Sequence, residues 1–120
     1  MKDKDIKIWV ENLRSGEYAQ GTRYLCTTKV GVDRFCCLGV ACDVLLDDTW
    51  TEGNHPYNWS IGPLLCNDRI NSSSSMPGLK HLNKIGLDYE TASHLATMND
   101  TGSDFKEIAD WIEKNLEGGI

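Results

Sequence analysis

The stretch Phe35-Cys36-Cys37-Leu38-Gly39-Val40-Ala41-Cys42-Asp43 decides how the chain is read, because it sets three thiols and a glycine inside one buried amphipathic pattern. Phe35, Leu38, Ala41, Cys42, Leu45 and Leu46 recur at helical spacing, which predicts a helix from Asp33 as N-cap to about Leu46. Glycine in a helix interior costs about 1 kcal/mol against alanine. Gly39 therefore implies the close approach of another backbone or of a ligand.

Working outward toward the N-terminus, Ile6, Trp9, Val10 and Leu13 predict a helix from about Lys4 to Ser15, stopped by Gly16. Glu17 to Gly21 reads as a turn. Thr22 to Thr28 is rich in β-branched and aromatic residues and reads as a short strand, with Lys29-Val30-Gly31-Val32 as its returning partner. Downstream, Asp47 to Gly62 loses the helical period and reads as a long aromatic loop, and Asn71 to Ser75 as a surface loop tip. Leu79, Leu82 and Ile85 predict a short helix ending near Gly86, and Thr91 to Met98 another. Ser103 then caps a last helix, in which Phe105, Ile108, Ala109, Ile112 and Leu116 keep the period before Gly118-Gly119. The fold class expected is α+β, mostly helical: a single domain over residues 1–120 with about four helices and a short β-hairpin.

A chain of 120 residues can bury one core without disulfide or metal staples. No apolar stretch approaches the roughly 20 residues of a membrane span. The charged start Met1-Lys2-Asp3-Lys4-Asp5 is unlike a secretory signal, so a cytoplasmic protein is expected. Five cysteines, two of them adjacent, suit free thiols in a reducing compartment. A net charge of −6 argues against nonspecific nucleic-acid binding. It leaves room for a small anionic ligand held by a few convergent basic groups, or for an acidic surface docked on a basic partner.

Candidate chemistry lies in two places. Cys36 or Cys37, in the first turn of the expected helix, would have its pKa lowered by the helix dipole, and with His55 as base would make a nucleophile. The reading preferred for these cysteines is packing as small core residues, since no local signature of a cysteine hydrolase surrounds them. Zinc knuckle spacing is missing, and the oxygen-rich turn Asn99 to Asp104 lacks the rest of a calcium loop, so neither metal nor cofactor is expected. The second place is the aromatic loop. Trp50, His55, Tyr57 and Trp59, with Arg34 and Arg69 and with Lys80 and Lys84 in surrounding segments, suit stacking a base and holding its phosphate. Burial of the tryptophans in the core is the competing reading.

Phe35-Cys36-Cys37-Leu38-Gly39-Val40 with Cys42-Asp43, followed by Leu95, Asn99-Asp100, Gly102, Phe105, Ile108-Ala109-Asp110 and Ile112-Glu113, resembles small uncharacterised proteins encoded by bacteriophages, prophages and some bacteria. Trp9, Leu13, Ser15-Gly16 and Tyr18 fit the same pattern, as does Met76-Pro77, where the family prefers leucine before the proline. The resemblance implies a setting of phage and host, and no reaction.

Three functions are consistent with these residues. The first is a non-catalytic phage-type accessory protein that counters host defence by sequestering a nucleotide-type immune signal. The second is a protein-protein inhibitor that docks an acidic surface on a host defence protein. The third is a cysteine-dependent hydrolase of a small substrate. A homo-oligomer is compatible with all three.

Overall fold

The computed structural model describes residues 1–29, 32–46, 50–51, 70–71, 77 and 79–116. Helix α1 (Asp3–Arg14) forms where the sequence predicts it and buries Ile6, Trp9, Val10 and Leu13 as a single stripe. Gly16 follows at φ +79°, a left-handed turn that frees the chain from the helical path. Strand β1 (Ala19–Gln20) lies within the segment expected to be a plain turn. Strands β2 (Cys26–Lys29) and β3 (Val32–Phe35) form the hairpin, and β1 pairs parallel to β3 on its other side, giving the order β1-β3-β2.

The hairpin sits later than expected. Its antiparallel register couples Cys26 with Phe35, Thr27 with Arg34, Thr28 with Asp33 and Lys29 with Val32. Asp33 and Phe35 are therefore strand residues, and Asp33 does not cap a helix. The physical reason is the pairing available to this segment: β3 is hydrogen-bonded on both edges. Phe35 packs edge-on against Tyr18, with ring centroids 5.1 Å apart, where the periodicity assigned it to a helical face.

Helix α2 (Cys37–Leu45) begins at Cys36, whose backbone is extended and whose sulfur accepts a hydrogen bond from the Gly39 N–H at 3.3 Å. Every residue from Cys37 to Cys42 is buried. A helix that is apolar around its whole circumference belongs inside the fold. Accordingly α2 packs against α1, against α3 (Leu79–Ile85) and against α4 (Tyr89–Asp100). Helix α5 (Phe105–Leu116) closes the bundle against α1 and α4, burying Phe105, Ile108, Ala109 and Ile112. The described residues thus hold five helices, each overlapping a segment the sequence marks as helical, alongside a three-stranded sheet: the fold is α+β and mostly helical.

The caps explain two of the boundaries. Asp88 Oδ1 accepts from the Thr91 N–H at 2.7 Å and starts α4 two residues before the expected position. At α5 the cap is Asp104, not Ser103. Its carboxylate accepts from the Glu107 N–H at 2.8 Å while Glu107 Oε1 accepts from the Asp104 N–H at 3.3 Å. This reciprocal pair satisfies two backbone donors that Ser103 alone could not. Across the surface, Arg14 of α1 donates to Asp110 at 2.5 Å and to Glu113 at 2.6 Å on α5. No helix among the described residues is long and apolar enough to cross a membrane.

Candidate functional site

Helix α2 is held in place through its first peptide groups. Cys37 N–H donates to Asn99 Oδ1 at 3.2 Å, and the Cys37 carbonyl accepts from Trp9 Nε1 at 2.9 Å. The Cys37 thiol leans on the Leu95 carbonyl at 3.5 Å. Asn99, only 1% exposed, uses its whole amide. Its oxygen also accepts from Gln20 Nε2 at 3.0 Å, and its nitrogen donates to the Gly21 carbonyl at 2.8 Å and to Asp100 Oδ1 at 3.3 Å. Gln20 Nε2 adds a bond to the Ser103 carbonyl at 2.8 Å. One buried side chain on α4 therefore fixes the start of α2 and the end of β1 together.

The glycine in the deciding stretch meets a backbone. A Cβ added at Gly39 would lie 1.9 Å from the Leu25 carbonyl oxygen, which already accepts from the Cys36 N–H at 3.2 Å. The absent side chain lets the backbone at Leu25, just before β2, run directly over the helix. Of the two alternatives the sequence left open, close backbone approach is present at this position.

The thiols are packed and kept neutral. Cys26, Cys36, Cys37 and Cys42 are all reduced and buried. Loss of solvent pushes Cys26 and Cys36 up to about 12 and raises Cys37 well above the ordinary thiol value. At Cys36 the helix-start N–H groups pull the other way, and burial outweighs them. The dipole argument for a lowered thiol pKa held only for a partly exposed cysteine. The N-terminus of α2 is likewise closed, because Asn99, Cys36 Sγ and the Cys36 carbonyl already take the Cys37, Gly39 and Val40 N–H groups. Among the described residues, no three His, Cys, Asp or Glu side chains are grouped to share a metal ion.

The other candidate residues are placed as follows. Arg34 is exposed on β3. Trp50 begins strand β4 (Trp50–Thr51), which pairs parallel with β5 (Ile70–Asn71), Trp50 opposite Ile70 and Thr51 opposite Asn71. His55, Tyr57, Trp59 and Arg69 lie outside the described residues, as does Cys66. Lys80 and Lys84 are exposed on α3, whose His81 is buried. The pairing of β4 with β5 makes the aromatic stretch leave and return at one place, so its two ends are neighbours although its residues are distant in sequence. Two shallow clefts flank α1 elsewhere, of about 430 Å³ and 280 Å³, and both are lined by Arg14. Arg14 is committed to Asp110 and Glu113, which hold its proton more firmly, and its guanidinium in turn depresses the Glu113 carboxyl.

Sequence reasoning missed the Asn99 hub. The available signal was an asparagine just past the expected end of a helix at Met98, which reads as a solvated turn residue, whereas α4 runs on to Asp100 and buries it. Fold and site together describe a small α+β domain built around a central helix, buried from Cys37 to Cys42, that a polar side chain from a second helix anchors. The chain belongs to the family described as a domain of unknown function, DUF8296, whose model matches residues 1–116. Neither a curated protein nor a solved structure matches it.

Proposed function

We propose that the protein is a non-catalytic binder of a small anionic ligand of nucleotide type, contacted through the aromatic stretch between β4 and β5. The observation that carries this reading is the parallel pairing of Trp50–Thr51 with Ile70–Asn71. It gathers the two ends of a segment that contains His55, Tyr57, Trp59 and Arg69. Aromatic faces beside a guanidinium suit a base and its phosphate, each stacked base contributing about 1–3 kcal/mol. The burial of Cys36 and Cys37 supports binding over nucleophilic catalysis, since a neutral, enclosed thiol is a poor nucleophile. The resemblance to phage and prophage proteins supplies the biological side of the proposal, in which the bound nucleotide is a host immune signal withdrawn from its receptor.

Calorimetry with linear and cyclic nucleotides tests the binding. A saturable heat with at least one of them, weakened about tenfold or more in Trp50→Ala or Trp59→Ala, is the expected result. Absence of binding across the whole set rejects the reading.

A further inference from the structure

Arg23 stands at φ +74°, in the left-handed region that arginine seldom occupies. The turn around it is strapped to the end of α4. Arg23 N–H donates to Asp100 Oδ1 at 2.8 Å, the same oxygen that takes the Asn99 amide, and Asn99 Nδ2 also donates to the Gly21 carbonyl. Glycine would take this φ without strain, so what the position gains from arginine is its side chain. That side chain is exposed and makes no ion pair among the described residues.

Arg34 flanks the same turn. Gly21 N–H donates to the Phe35 carbonyl at 2.8 Å, and a Cβ on Gly21 would come within 3.0 Å of Arg34 Cβ, so the bare Gly21 leaves room for the Arg34 stem. Arg34 is exposed and, among the described residues, is also outside any ion pair. In a chain of net charge −6 these are, among the described residues, two guanidinium groups outside any ion pair, one carried by the turn that follows Gly21 and one by the strand residue whose Cβ faces it, whereas Arg14 is bound by two carboxylates. Guanidinium forks match the paired oxygens of a phosphate.

We propose that Arg23 and Arg34, flanking Gly21, form an anion subsite that takes the phosphate groups of the ligand. The nucleotide identity of that ligand rests on the proposed function above; the oxyanion chemistry rests on the two arginines.

The test is an NMR titration of the arginine Nε–H signals of the full chain with inorganic pyrophosphate and, separately, with ADP. Saturable shifts at Arg23 and Arg34 are expected, with pyrophosphate affinity falling about tenfold in Arg23→Asn and in Arg34→Gln. Asparagine tolerates the left-handed conformation, so Arg23→Asn removes the charge and keeps the turn. Arg23→Gly should raise the melting temperature by about 3 °C while weakening pyrophosphate to the same degree. No shift with pyrophosphate, or unchanged affinity in Arg23→Asn, overturns the subsite. If ADP binding depends on Trp59 and not on Arg23, the subsite fails while the binder reading stands. If pyrophosphate depends on Arg23 and no nucleotide binds more tightly than pyrophosphate, the binder reading fails and the subsite stands.

Discussion

Cys37 and Asn99 are joined by a buried hydrogen bond of 3.2 Å, and through it the two motifs that stand out in the sequence become one structural unit. Phe35 to Asp43 supplies the central helix. Asn99-Asp100 supplies the groups that hold its first turn against β1 and the Gly21–Arg23 turn. A polar knot of this kind raises specificity and stability only while every member is satisfied.

Asn99→Asp tests that knot. The change keeps the shape, replaces two donated bonds with a carboxylate oxygen, and leaves the Gly21 carbonyl facing a buried charge. We expect a stability loss of about 3 kcal/mol in urea denaturation, from the unmet carbonyl together with the charge. A loss under about 1 kcal/mol would show that the hub is dispensable.

Two glycine substitutions should separate space from strain. Gly39→Ala adds a methyl at 1.9 Å from a backbone oxygen that cannot swing away, so the variant should lose at least about 3 kcal/mol despite alanine's better helix propensity. Gly16→Ala meets nothing within 4 Å and bears only its φ of +79°, so about 1 kcal/mol is expected. Equal losses at the two sites would contradict the packing described.

These contrasts show what was legible in the sequence and what was not. Helix α1 and helix α5 could be read because each shows one apolar stripe, Ile6-Trp9-Val10-Leu13 and Phe105-Ile108-Ala109-Ile112. Helix α2 was legible as a helix, yet its cap was placed three residues too early, at Asp33 in place of Cys36. An aspartate before an apolar run is a cap signal, and only the pairing of β3 on both edges shows that this aspartate is in a strand. Strand β1 was hidden because two residues of parallel pairing leave no periodicity. The thiol pKa went the opposite way to the dipole argument because sequence gives position along a helix and not depth in a core. Arg34 was singled out in the sequence as a cation for the aromatic loop, and its exposure on β3 came only from the structure, while Arg23 carried no signal before its backbone conformation was seen.

Thiol chemistry provides a pH test. Cys26, Cys36 and Cys37 have folded pKa values raised above the unfolded range, so their neutral forms contribute stability that is fully present below about pH 9. That contribution is lost as the pH climbs from about 9 toward 12, because the unfolded chain releases thiol protons first. Circular dichroism in urea at stepwise pH should show a falling midpoint above pH 9, and the fall should shrink in Cys36→Ala if that variant folds. In a Cys66→Ser background, the remaining thiols should react with a thiol reagent at pH 8 only slowly until denaturant is added. Rapid stoichiometric labelling of Cys36 or Cys37 in the native protein would revive the nucleophile reading.

The reciprocal cap on α5 makes a smaller claim. Asp104→Ala should cost about 1 kcal/mol, and Ser103→Ala should cost less, as measured by thermal unfolding. The reverse order would restore Ser103 as the cap.

The most direct test of the central claim is native mass spectrometry of the protein after incubation with a mixture of linear and cyclic nucleotides, followed by denaturation and identification of what is released. The account predicts a stoichiometric adduct that leaves chemically unchanged and is lost in Trp50→Ala with Trp59→Ala. An apo mass under every condition, or release of a cleaved nucleotide, would contradict it.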